Sequence, residues 1–383
     1  MKGAFFVQED FHFYTTYVLC RLAGMKHEPA YKISYSCQHV DDAIYGHVLD
    51  FENGGSFHQV TTAWKYGINN RRKIQQSLEL LRSRRLQEQI LVPFHFLPGN
   101  QTDSGRFRER MICRKDSPTA NKMMDHIQKN SSLYQLQLFG IGLHIYSDTW
   151  VHQNFSGQFT GIHENINAAR SPRDFKRFRN NGNGLLALKG EFFTEVGDGQ
   201  VGEFPDEPYR KWSYYHCFFQ KKITLKNWEL FLEASSGVYK QILTFLEKPE
   251  RKIWQEKESI SWDDFSEKLS KSFRFRGTES ERCKEWQRKI SEGFFGFTEK
   301  DFQYEKRKWF HEAVRVSEIK NYFWKQSLLH TYVDWISYHG NNTYCYRENF
   351  GSSDWKYFHD GAAYLKYYIL HELLSESGIY CGS

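Results

Sequence analysis

Three ionisable side chains set four residues apart, His144, Asp148 and His152, lie inside an apolar run and constrain this chain more than any other feature. At about 100° per residue, each step of four drifts only roughly 40° around a helix axis, so the three share one face. Leu136, Leu138, Phe139, Ile141, Leu143, Ile145, Trp150 and Val151 mark the surroundings as buried, where an unpaired carboxylate is costly. A cation would offset that cost. The outer histidine backbones stand roughly 12 Å apart at about 1.5 Å of rise per residue, a long span for one ion, whereas Asp148 between them suits a bridge between two. The competing reading is a buried hydrogen-bonded cluster in which Asp148 orients a histidine.

Around this stripe the chain reads as all-α, with one small β-hairpin near residues 47–62. Phe11 to Leu22 follows a helical pattern closed by Gly24, and Pro29 opens a second helix to about Tyr45. His47 to Glu52 and Ser56 to Thr62 flank Asn53-Gly54-Gly55, the best hairpin signal present. A helix over Lys73 to Gln89 follows, and Ile90 to Pro98, with Pro93 and Pro98, is expected to run extended through the core, carrying His95. Asn100 to Asp116 is loop-like, Ser117-Pro118 opens a helix to about Gln128, and Asn165 to Gly190 is an irregular basic excursion. Further helices are expected over Ile223 to Leu246, Glu318 to Tyr338 and Asp354 to Ser375. No linker divides the chain, so residues 1–383 read as a single α-rich domain, with a metal-site half (1–215) and a structural helical half (216–383).

Composition narrows the function classes. An aromatic content of 17% in 383 residues fills a sizeable core. Gly3-Ala4-Phe5-Phe6-Val7 is too short for the apolar core of a signal peptide, and no run reaches membrane-spanning length. Cys20, Cys37, Cys113, Cys217, Cys283, Cys345 and Cys381 are scattered and never spaced C-x-x-C, which argues against a disulfide framework and a cysteine zinc site and favours a reducing cytoplasm. A net charge of +6 suits a phosphate-bearing substrate or an ordinary solvated surface equally well.

One helix cannot supply a two-metal centre, so further ligands are expected from Asp10 and His12 at the first helix, Asp41 and Asp42 late in the second, His58 on the hairpin and His95 beside Pro93. Each alone has a structural reading: Asp10 as an N-cap, His12 as a histidine among aromatics, Asp41-Asp42 as a solvated helix end. His311-Glu312 continues without the second histidine of H-E-x-x-H, and G-x-S-x-G and G-x-x-x-x-G-K-[ST] are missing.

The blocks Asp10-Phe11-His12, Ser36-Cys37-Gln38-His39-Val40-Asp41-Asp42, Pro93-Phe94-His95-Phe96-Leu97-Pro98 and His144 to Gly157 resemble an uncharacterised bacterial family of soluble proteins. The likeness extends through Phe204-Pro205-Asp206-Glu207-Pro208-Tyr209 and the final helix. That family carries no established function, but its ligand order is similar to that of the zinc-dependent phospholipases C and single-strand-specific zinc nucleases, helical enzymes with three zinc ions. The wider resemblance matches His12, then Asp41 or Asp42, then His58, then His144 with Asp148, the aspartate bridging two zincs. The chain departs from it in three places: His152 follows the aspartate sooner, the later pair offers only His163 and Asn167, and Asp198 stands where a histidine is expected. No processed amino-terminal tryptophan supplies a main-chain amine.

The leading expectation is therefore a metal-dependent hydrolase of phosphate esters, with two divalent ions, zinc favoured by the imidazoles, activating water against a phosphoryl group. Asp148 would bridge, His144 and His152 would bind one ion each, and Asp10, His12, Asp41, His58 and His95 would complete the shells. Asp42 would hold or deprotonate the water. The substrate would be nucleic acid, a nucleotide or a phospholipid head group; Arg173, Arg177 and Trp150 would suit a single strand. One alternative is an HD-like nucleotide phosphohydrolase, although the adjacent His-Asp doublet that chemistry needs is not found among the candidate ligands. The other is a non-catalytic interaction protein with a structural or decayed metal site.

Overall fold

All residues from Gln137 to Val151 are buried within the helix Gln135–Val151. A helix apolar on every side must be enclosed on every side, and the helices His27–Asp42, Pro118–Lys129, Asn227–Glu247 and Asp354–Tyr367 all pack against it. This computed structural model describes residues 9–64, 83–100, 107–158, 169–170, 201, 203–216, 219–300, 302–317 and 343–381. The chain is mainly helical with small sheets, and one core draws on both halves, from Phe11 and Leu143 to Trp309 and Leu365. No helix among the described residues is long and apolar enough to cross a membrane.

Close approach of the central helix to His27–Asp42 depends on Gly140. A Cβ there would lie 2.3 Å from the Ile33 carbonyl oxygen, so no side chain fits. One turn further along each helix, the same approach brings His144 onto the Cys37 carbonyl, at 2.8 Å. Ser117 caps the neighbouring helix by accepting the Ala120 N–H at 3.1 Å, with Pro118 at its first position.

The expected hairpin forms, with Val48–Asp50 and Ser56–His58 antiparallel and Val48 opposite His58. Three expectations are corrected. The segment before Pro98 is helical rather than extended: a π-helical stretch, Gln87–Leu91, runs into Val92–Phe94, and His95 ends it. Pro93 is tolerated because it lies in the first turn of that last piece, where a missing N–H goes unnoticed. The long helix begins at Asn227, since Lys221–Lys226 pairs with Lys211–His216 as a hairpin that turns Trp212, Tyr214 and His216 inward. Trp150 is core, not groove: it is 4% exposed and packs edge-on to Tyr146. Residues 73–82 of one expected helix, the whole of the expected helix 318–338 and most of the basic excursion lie outside the described residues, as do His163, Asn167, Arg173, Arg177 and Asp198.

Candidate metal centre

Four segments deliver the site. His12 comes from a π-helical stretch, Asp10–Thr15, that leads into the helix Thr16–Leu22. Asp41 comes from the last turn of His27–Asp42, His95 from the end of Val92–Phe94, and His144 and Asp148 from the central helix. Two of these deliveries follow π-helical turns, whose wider winding shifts side-chain phase and recurs at functional sites. His12, His95, His144 and Asp148 are fully buried, whereas Asp41 keeps 6% exposure.

The hydrogen bonds behind the imidazoles fix where their lone pairs point. His144 Nδ1–H donates to the Cys37 carbonyl at 2.8 Å, and His95 Nε2–H donates to the Thr62 carbonyl at 2.9 Å. A carbonyl can only accept, so the proton of each neutral ring is on the outer nitrogen. The inner atoms, His144 Nε2 and His95 Nδ1, then face each other at 3.3 Å with no proton between them. Both also face Asp148 Oδ2, at 3.3 and 3.4 Å, and Asp41 Oδ1, at 3.7 and 3.9 Å. Lone pairs converging at such distances repel unless a cation lies among them. Ligands roughly 2.0–2.2 Å from a tetrahedral ion stand roughly 3.3–3.6 Å apart. His95, His144 and Asp148 therefore form one face of that tetrahedron, and Asp41 stands a few tenths of an ångström back.

The far sides of the same carboxylates meet His12. Its Nε2 lies 3.2 Å from Asp148 Oδ1 and 4.0 Å from Asp41 Oδ2. Among the described residues, neither His12 Nε2 nor Asp148 Oδ1 has a hydrogen-bond partner, and Asp41 Oδ1 has none either. Orphaned buried polar atoms of this kind are expensive. Two groups among the described residues, Asp41-His95-His144 and His12-Cys37-His144, bring their ligand atoms close enough to hold a metal ion. His152 is fully buried beside the cluster, its Nδ1 donating to the His95 carbonyl at 2.9 Å and lying 3.5 Å from Asp148 Oδ2, so it braces His95.

Burial disfavours charge on the imidazoles. It holds His12 below its ordinary value and lowers His95 and His144 to about 4. Asp41 is raised well above the carboxylate range, first by burial and then by the neighbouring carboxylates of Asp148 and Asp42. Burial also opposes ionisation of Asp148, but the surrounding imidazoles, His144 first, outweigh it and keep this group the anion of the site. Cys37 is pushed well up by burial and stays a thiol.

These shifts have a stability consequence. Burial lowers His39 and His216 to about 4 as well, and His359 to about 3. Histidines with depressed folded values stabilise fully above their unfolded value of about 6.5, and that stability is lost as pH falls toward the folded value, because the unfolded chain binds the protons first. The carboxyls that burial raises, Asp41, Asp10, Asp354 and Glu9, the last to about 7, work in the opposite direction but are outnumbered by the depressed histidines. In the presence of chelator, the urea midpoint is expected to drop steadily between pH 6.5 and 4; a flat profile over that window would contradict the burial of these rings.

Three expected ligands stand elsewhere. Asp10 is buried against Arg282, accepting from Nε at 2.8 Å and from Nη2 at 3.4 Å. Asp42 turns away from Asp41 to meet Lys306 Nζ at 2.6 Å near the surface. His58 is exposed on its strand, away from the cluster, because the hairpin register points it to solvent. The chain does contain one His-Asp doublet, His359-Asp360, but it lies apart: His359 Nδ1 accepts the Val60 N–H at 3.1 Å and Asp360 pairs with Lys356 at 2.5 Å.

Sequence reasoning also missed Cys37, whose signal was its spacing four residues before Asp41 on one helix face. It missed Arg282 and Lys306 as well, which no local pattern ties to Asp10 or Asp42.

No curated protein and no solved structure matches the chain, so the zinc phospholipases C and nucleases do not enter by comparison. One family profile matches residues 7–373, from before the His12 segment to beyond the last long helix. That match spans every residue of the candidate metal centre, and the chain belongs to DUF6765, a family of unknown function.

Proposed function

We propose that the chain is a metal-dependent hydrolase of phosphate esters, with zinc as the favoured ion and two ions as the favoured occupancy. The observation that supports this most is the convergence of proton-free imidazole nitrogens on two carboxylates, each ring anchored from behind by a backbone carbonyl. Outer-nitrogen hydrogen bonds of this kind are the usual support of metal-bound histidine. His95, His144, Asp148 Oδ2 and Asp41 Oδ1 would hold one ion, and His12 with the opposite oxygens of the two aspartates would hold the other. His12 offers one nitrogen to that second position, which leaves coordination open for water and substrate.

A pair of such ions supplies an activated water and charge stabilisation for a phosphoryl group. The chain's residues do the rest. The two aspartates would hold the ions in common, and His152 holds the His95 backbone in place. Asp41 is the one of these ligands that keeps some exposure, at 6%, and its neighbour Asp42 is paired with Lys306, whose ammonium would be a cation available to phosphate oxygens.

Turnover of bis-p-nitrophenyl phosphate by the zinc-loaded chain, abolished by chelator and restored by zinc, is the expected result. A fully loaded chain that leaves phosphate mono- and diesters untouched would overturn the hydrolase reading in favour of a structural metal.

A further inference from the structure

Cys37 touches two rings of the site at once. Its backbone carbonyl accepts from His144 Nδ1 at 2.8 Å, and its Sγ lies 3.5 Å from His12 Nδ1. The two imidazoles are stacked, with centroids 4.0 Å apart and planes 26° from parallel. Both turn Nδ1 toward Cys37 and Nε2 toward Asp41 and Asp148. Thr16 Oγ1 donates to the sulfur at 3.7 Å and so steadies its position.

We propose that Cys37 is a positioning residue, a clamp that turns the Nε2 atoms of two stacked histidines toward the metal position without itself binding metal. This rests on the metal-site reading above. The His12-Cys37-His144 group is close enough to hold an ion. An ion bound by the sulfur, however, would sit behind the rings, where His144 Nδ1 already bonds a carbonyl. Among the described residues, the carboxylates Asp41 and Asp148 face the Nε2 side, not the sulfur side. As an acceptor for His12 Nδ1–H, the thiol performs the task that carbonyls perform for His95 and His144.

Cobalt(II) binding followed by absorption spectroscopy tests this in the 383-residue chain. Wild type is expected to show cobalt d–d bands without the near-ultraviolet charge-transfer band of a sulfur ligand. Cys37→Val, which keeps volume and removes the polar atom, should weaken cobalt binding by roughly tenfold to a hundredfold, the usual effect of losing an outer partner. Cys37→Ser should restore most of the affinity, and thermal unfolding of each variant reports whether the fold is intact. A charge-transfer band in wild type that disappears in Cys37→Val would make the sulfur a ligand and overturn the proposal. So would a Cys37→Val affinity within about twofold of wild type, outside the range lost with an outer partner. Absence of cobalt binding by wild type would instead overturn the metal-site reading itself, and the inference with it.

Discussion

Asp148→Asn is expected to reduce zinc affinity by more than about a hundredfold, beyond what loss of an outer partner produces, and to bring phosphodiester hydrolysis to background. Asp148 faces all the inward-pointing rings: Oδ1 meets His12 at 3.2 Å, and Oδ2 meets His95 at 3.4 Å and His144 at 3.3 Å. An amide offers one acceptor in place of two and no charge, so both ion positions weaken together. The helix is retained, because its burial comes from Leu138, Ile141, Leu143 and Ile145 and from the close packing at Gly140. Zinc content by mass spectrometry and far-ultraviolet circular dichroism on one preparation separate the two effects. Normal zinc content in the variant would remove Asp148 from the site.

Arg282→Met is expected to destabilise the fold by about 3–5 kcal/mol while leaving zinc content unchanged. Arg282 and Asp10 are 3% and 2% exposed, and removing one partner of a buried pair leaves the other charge uncompensated. Burial already raises Asp10, with the guanidinium as the main opposing influence. Urea denaturation measures the loss, and adding Asp10→Asn should recover part of it, since the uncompensated charge disappears. If Asp10→Asn alone strips the zinc, Asp10 is a ligand and its pairing with Arg282 is secondary.

The contrast between Asp148 and Asp10 shows what the sequence made legible. His144 and Asp148 could be read because helical periodicity alone places them on one face, and the apolar residues between them announce burial. His12, Asp41 and His95 were found as ionisable residues among apolar neighbours, a weaker signal that also selected Asp10, Asp42 and His58. Those three differ through partners far along the chain or through strand register: Arg282 for Asp10, Lys306 for Asp42, and a solvent-facing strand position for His58. His152 shares the stripe as expected, yet the helix ends at Val151 and its ring turns to the His95 carbonyl. The all-α class and first hairpin followed from pattern and turn residues. The Lys211–Lys226 hairpin was hidden because the amphipathic run of Asn227–Glu247 could be extended backward to Ile223 without breaking its period.

Whether imidazoles and carboxylates from separate segments enclose a cation is tested most directly by anomalous diffraction at the zinc edge from crystals grown with zinc. The expected result is a peak roughly 2.0–2.2 Å from His144 Nε2, His95 Nδ1 and an oxygen of Asp148, with a second peak on the His12 side. Crystals with an ordered site and no anomalous signal among these residues, or with zinc bound only elsewhere, would contradict it.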